Sequence, residues 1–80
     1  MVTVRLFAAA RAAAGVDQTE VPSGSLAEIL TGLAQAFPGL PTVLPRCSFL
    51  VDGIAVHGDH SSVTVVDGSQ VDVLPPFAGG

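Results

Sequence analysis

The sequence predicts an α+β roll, a small mixed β-sheet packed on one face of one main amphipathic helix. Three observations predict it. An alternating strand pattern opens the chain, a single apolar stripe at helical spacing follows over residues 25–37, and short strand patterns divided by glycine turns occupy the second half.

The elements follow in order. Residues Val2–Ala8 alternate, with Val2, Val4 and Leu6 on one side and Thr3, Arg5 and Phe7 on the other, as in a half-buried strand. Ala9–Ala14 is alanine-rich and predicts a helical turn that stops at Gly15. Asp17–Val21 reads as a second strand, completing a hairpin and ended by Pro22. Ser25-Leu26-Ala27-Glu28 is a capping box, in which the serine hydroxyl and the glutamate satisfy free amides at a helix start. Behind it Leu26, Ile29, Leu30, Leu33 and Phe37 form the stripe, and Pro38-Gly39 ends the helix. Leu40–Arg46 carries two prolines and predicts an ordered loop or a short 3₁₀ turn. Ser48–Val51 and Ile54–Val56 flank Asp52-Gly53, a favoured two-residue hairpin turn. His57–Ser62 reads as loop and Asp67-Gly68 as a turn. Gln70–Leu74 is the last strand, with Val71 and Val73 facing inward, and Pro75-Pro76 stops it. The predicted order is β-β-α-β-β-β, with a domain over 1–74 and an extended tail over 75–80.

Composition excludes several functions. Eighty residues make one domain, and 49% apolar residues against 12% charged predict a compact core with an apolar patch left outside it. The net charge is −4, with Arg5, Arg11 and Arg46 as the cations and no lysine. Nucleic acid is excluded as a partner because phosphate binding needs clustered cations, and a Schiff-base or P-loop lysine is absent. A basic partner surface complements this charge. Cys47 is the sole cysteine, which rules out an internal disulfide and a four-cysteine metal site. One thiol and no export signal predict a cytoplasmic protein. The longest uncharged run, Ile29 to Pro45, is broken by Pro38 and Pro41 and predicts no membrane span.

The tail is the informative motif. The sequence closes on Leu74-Pro75-Pro76-Phe77-Ala78-Gly79-Gly80. The prolines predict a stiff stem that cannot continue the strand. Two residues without Cβ can enter a narrow channel, where partner amides can capture a terminal carboxylate. That carboxylate needs activation, for example as an adenylate from which a sulfur nucleophile can displace AMP, and a tethered group then has a raised effective concentration at its acceptor.

These residues resemble the MoaD/ThiS family of sulfur carriers, and within it the branch of the molybdopterin synthase small subunit. The likeness spans the whole chain, from Val4-Arg5-Leu6-Phe7-Ala8-Ala9-Ala10-Arg11 to Val66–Gly80. Gly79-Gly80 is shared by all such carriers, whereas Leu74-Pro75-Pro76 and the opening Arg-Leu-Phe-Ala are particular to the molybdopterin branch. Two positions depart from the family. Asp52 stands where asparagine is frequent, and Gln70 where an acidic residue is common.

The resemblance implies a ubiquitin-like β-grasp fold with a flexible C-terminal Gly-Gly tail. It also implies that an ATP-dependent, ubiquitin-activating-like (MoeB-like) adenylyltransferase adenylates Gly80. A sulfurtransferase then supplies sulfur for the thiocarboxylate, and the large (MoaE-like) subunit of molybdopterin synthase receives it for a cyclic pterin precursor. No cofactor is expected on this chain, since ATP is used by the activating partner. Carriers for thiamine-thiazole or cysteine synthesis and a non-covalent ubiquitin-like module are the alternatives. A free-standing enzyme is disfavoured, because no pair of groups supplies nucleophile and base.

Strand alternation places Phe7 and Leu74 on the sheet face away from the helix, followed by Phe77, as an apolar docking patch beside the tail. Arg11, Pro75, Pro76 and Ala78 complete the expected partner contacts, with Gly79 and Gly80 as the reacting end. His57-Gly58-Asp59-His60 has too few ligands for zinc and reads as a polar loop, so no metal is expected. Cys47 lacks a neighbouring base and reads as packed and inert.

Overall fold

The structure, a computed structural model, describes residues 1–76. Their order is β1 (Val2–Leu6), α1 (Ala8–Ala14), β2 (Gln18–Val21), β3 (Gly24–Ser25), α2 (Leu26–Ala36), β4 (Ser48–Val51), β5 (Ile54–Ala55), β6 (Thr64–Val65) and β7 (Gln70–Leu74). Short 3₁₀ turns lie at Leu40–Thr42, Leu44–Arg46 and His60–Ser62. Five strands form one sheet in the order β2-β1-β7-β4-β5, and β3 pairs with β6 in a small second sheet. The fold is a ubiquitin-like β-grasp.

The first and last strands lie side by side and run parallel, with Val4 opposite Val71 and Leu6 opposite Val73. On the other flank β4 is antiparallel to β7, with Phe49 opposite Val73 and Val51 opposite Val71. Because strand side chains alternate, this register puts Val2, Val4, Leu6, Phe49, Val71 and Val73 on one face. All six are buried, together with Leu26, Ile29 and Leu33 of α2 and with Leu40 and Leu44 of the 3₁₀ turns. Each such side chain contributes roughly 1.5–3 kcal/mol on leaving water.

Helix α2 starts where its capping box predicts. The Ser25 hydroxyl accepts from the Glu28 N–H at 3.1 Å, and the Glu28 carboxylate accepts from the Ser25 N–H at 2.9 Å. The backbone N–H of Ser25, and then its hydroxyl, hold the Glu28 carboxyl below the ordinary carboxylate range. The Asp52-Gly53 turn has φ of 50° and 81°, the left-handed pair that joins two strands tightly. Asp52 also accepts from the Gln70 N–H and the Ser69 hydroxyl, both at 2.9 Å, which pins the β4–β5 hairpin to the start of β7.

Three strand boundaries and one loop depart from the sequence reading. The first strand stops at Leu6, because Phe7 becomes the extended residue before α1 and Ala8 turns the chain with φ of 51°. The second strand begins at Gln18, although the Asp17 carbonyl still accepts from the Leu6 N–H at 2.9 Å. Strand β5 ends at Ala55, and the loop 57–62 contains a 3₁₀ turn capped by Asp59. The small β3–β6 sheet was not expected. Two-residue strands carry no readable period, and this pair exists only because the α2 start meets the 64–65 segment.

Candidate functional site

Strand β7 is the third of five and is hydrogen-bonded on both sides, so its C-terminal end is held by two neighbours. Leu74 lies opposite Ser48 of β4, and on the β1 side the Phe7 N–H donates to the Val73 carbonyl at 3.2 Å. The ladder stops there because Pro75 and Pro76 have no N–H to donate. Pro75 is buried and Pro76 is exposed. The stem therefore leaves a fixed point in the middle of the sheet rather than a frayed edge.

The face away from α2 carries Arg5 and Phe7 beside β7 residues Asp72 and Leu74, with Leu50 of β4 opposite Asp72. Phe7, Leu50 and Leu74 are each half-buried, and none belongs to the hydrophobic core or packs against it. The Arg5 guanidinium stands 5.1 Å from the centre of the Phe7 ring, and its Nε is 3.7 Å from the Asp72 carboxylate. A cation over an aromatic ring at an exposed site contributes ~0.5–1 kcal/mol, which restrains the Phe7 ring. The result is an apolar surface with a charged margin at the root of the stem.

On the other side of the stem a shallow groove of about 200 Å³ is lined by Ala9, Thr42, Val43, Arg46, Pro75 and Pro76. Arg46 is its one charged residue. Among the described residues, neither Arg46 nor Arg11 forms an ion pair.

Of the residues that the sequence singles out, Phe7, Leu74, Pro75 and Pro76 meet at the stem. Arg11 is exposed one helical turn after Phe7, with its N–H 3.4 Å from the Phe7 carbonyl. Phe77, Ala78, Gly79 and Gly80 lie outside the described residues. Leu50 and Arg46 also belong to this end of the molecule and were missed. Alternation could have found Leu50, since Phe49 and Val51 face inward on either side of it. Nothing in the sequence relates Arg46 to the stem thirty positions later.

The remaining candidates are engaged elsewhere. The His60 ring meets Phe49 edge-on at 5.2 Å, and Asp59 accepts from the Ser61 N–H at 2.9 Å and from its hydroxyl at 2.7 Å. Those contacts hold the Asp59 carboxyl below its usual range, the Ser61 hydroxyl first. Among the described residues no group of three or more His, Cys, Asp or Glu side chains could hold a metal ion. The Cys47 thiol is half-buried and donates to the Val43 carbonyl at 3.3 Å; burial pushes its pKa up. No helix among the described residues is long and apolar enough to cross a membrane.

The chain belongs to the ThiS family, which matches it over residues 4–80, and is thus a member of the MoaD/ThiS group of ubiquitin-like sulfur carriers. Among solved structures it is similar to small archaeal modifier protein 1 from Methanosarcina acetivorans, at 24% identity and a TM-score of 0.86 over 99% of this chain and 95% of that one. It is similar also to small archaeal modifier protein 1 from Haloferax volcanii, at 22% identity and 0.80 over 99% and 98%. A third likeness is to a complex of subunits 1 and 2 of the molybdopterin-converting factor from Helicobacter pylori, at 23% identity and 0.73 over 99% and 97%. No curated protein matches the sequence.

Proposed function

We propose that the protein is the sulfur-carrying small subunit of a molybdopterin synthase, with the carboxylate of Gly80 as its working group. The observation that carries this reading is the Leu74-Pro75-Pro76 stem, set at the end of the central strand and flanked by the open surface of Phe7, Leu50 and Leu74. A tether delivers its end efficiently when its root is fixed and its length short, because less freedom must be lost on docking.

In this reading a carboxylate oxygen of Gly80 attacks the α-phosphorus of ATP on a ubiquitin-activating-like partner, and pyrophosphate leaves. A persulfide on a sulfurtransferase then displaces AMP from the acyl carbon to give an acyl disulfide. A second thiol attacks the donor sulfur, closing a disulfide with the donor and leaving the thiocarboxylate. Its sulfur adds to a cyclic pterin precursor on the large subunit, and water then cleaves the acyl C–S bond, leaving the sulfur on the precursor and returning the Gly80 carboxylate. The partner in the Helicobacter pylori complex, subunit 2 of the converting factor, supports a large subunit of that kind. Phe7, Leu74 and Leu50 dock on the partner, Arg11 contacts its rim, and Phe77-Ala78-Gly79-Gly80 enters its channel. The pterin pocket belongs to the partner, because this chain has no lysine and only three arginines with which to build one.

The test is intact mass after incubation with an adenylating enzyme of this type, ATP and a sulfur donor. One sulfur-for-oxygen exchange at the C-terminus is expected, followed by its loss on adding a molybdopterin synthase large subunit and the pterin precursor. Deleting Gly80 abolishes both. An unchanged mass would exclude a carrier. Loading without discharge to the large subunit would move the protein to another sulfur pathway.

A further inference from the structure

An activated acyl group reacts with the first nucleophile to reach it, and on a tether the nearest nucleophiles are those of its own domain. Tethering sets local concentrations of order millimolar, so a nearby amine or thiolate would compete with the intended sulfur donor. Four residues beyond Pro76 reach at most ~14 Å.

The nucleophiles of the chain are few. It has no lysine. The Met1 ammonium lies 2.9 Å from the Asp67 carboxylate. Because β1 and β7 run parallel, Met1 sits beside the start of β7, its carbonyl accepting from the Gly68 N–H. The five residues of β7 separate it from the stem by ~16 Å, beyond the reach of the tail. The Thr42 hydroxyl at the stem groove donates to the Gly39 carbonyl at 3.2 Å and has no base beside it among the described residues. Cys47 alone is a strong nucleophile at the stem end, next to Ser48, which pairs with Leu74. It is half-buried with its proton held on the Val43 carbonyl, and the thiolate is the reactive form.

Building on the carrier reading, we propose that the folded domain is inert toward its own activated Gly80. The activated end then waits for an external nucleophile rather than closing on its own domain. The reaction it avoids is acyl substitution. An amine or thiol lone pair bonds to the Gly80 carbonyl carbon, the bond to the leaving group breaks with its electron pair, and the nucleophile loses a proton to solvent.

The full chain bearing a C-terminal thioester on Gly80, produced by thiolysis of a self-cleaving fusion, tests this without an activating enzyme. Intact mass is followed at neutral pH and low protein concentration, where reaction between copies is negligible, for the wild type and for Arg46→Lys. The folded wild type is expected to lose its thioester only to water, with no closure on its own domain. Arg46→Lys places an amine at the stem groove and is expected to close to a lactam, one water lighter than the free acid, about tenfold faster than the wild type hydrolyses. In guanidinium the wild type is expected to form a thiolactone at Cys47, reversed by added thiol. A lactam or thiolactone from the folded wild type would overturn the proposal. So would an Arg46→Lys chain as stable as the wild type, or an unfolded chain that forms no thiolactone. Failure of ATP-dependent loading would sink the carrier reading instead and leave these results intact.

Discussion

The backbone N–H of Phe7 donates to the carbonyl of Val73 at 3.2 Å, the last link between the first strand and the last. It places an aromatic residue that the core does not use beside the strand from which the tail departs. Docking surface and reactive arm are thereby held in one frame, so a partner that grips Phe7 also sets where the stem points.

Because Phe7 stands outside the hydrophobic core, Phe7→Ala should leave the fold standing and weaken partner binding at least about tenfold, as loss of an interface anchor does. Calorimetric titration against the large subunit, with a denaturant melt of the free chain, separates the two effects. Val73→Ala is the contrast. Val73 is fully buried, and truncating it should cost about 1–3 kcal/mol of stability through the lost transfer energy and the cavity left.

Gly39 and Gly32 should respond in opposite directions. A Cβ on Gly39 would stand 2.5 Å from the Ala13 carbonyl oxygen at the end of α1, so Gly39→Ala should destabilise by roughly 1–3 kcal/mol as the two segments are forced apart. A Cβ on Gly32, inside α2, meets nothing within 4 Å, and Gly32→Ala should stabilise by about 0.5–1 kcal/mol. Urea midpoints at constant slope measure both. Equal shifts of one sign would contradict the close approach at Gly39.

The start of α2 rests on a reciprocal pair. Ser25→Ala removes the acceptor for the Glu28 N–H and should cost about 1 kcal/mol. Ser25→Asp, which restores an acceptor, should recover most of it in the same urea titration.

Acid should loosen the β4–β5 hairpin. The Gln70 N–H, and after it the Ser69 hydroxyl, hold the Asp52 carboxyl below its ordinary range, so the folded protein binds that proton less readily than the unfolded chain. The stabilisation is complete above the unfolded carboxylate pKa and is lost as pH falls through the lower folded value. Glu28, Asp59 and Asp67 shift the same way. Stability measured against pH should therefore fall below about pH 4, and Asp52→Asn, which keeps an acceptor but cannot titrate, should flatten that fall. An unaltered acid limb in Asp52→Asn would show that the Asp52 contacts do not sense pH.

The order of the main elements was determined by the sequence, through local rules that neighbours along the chain suffice to express. Alternation at Val2-Val4-Leu6 and Val71-Val73, the Ser25–Glu28 box, the stripe Leu26-Ile29-Leu33 and the Asp52-Gly53 turn each specify a shape within a few residues. The stem and the family likeness are equally local and were legible in Leu74-Pro75-Pro76. Other features depend on which distant segments meet, and only the tertiary structure decided those. The end of the first strand at Leu6, the two-residue β3–β6 pair and the placing of Arg46 beside Pro75 have no local signal. Neither has the central position of β7, which comes from pairing with β1 across most of the chain. Register is a long-range choice made by burial: shifting β7 by one residue would turn Val71 and Val73 out to water and Leu74 in, and the hydrophobic effect forbids it.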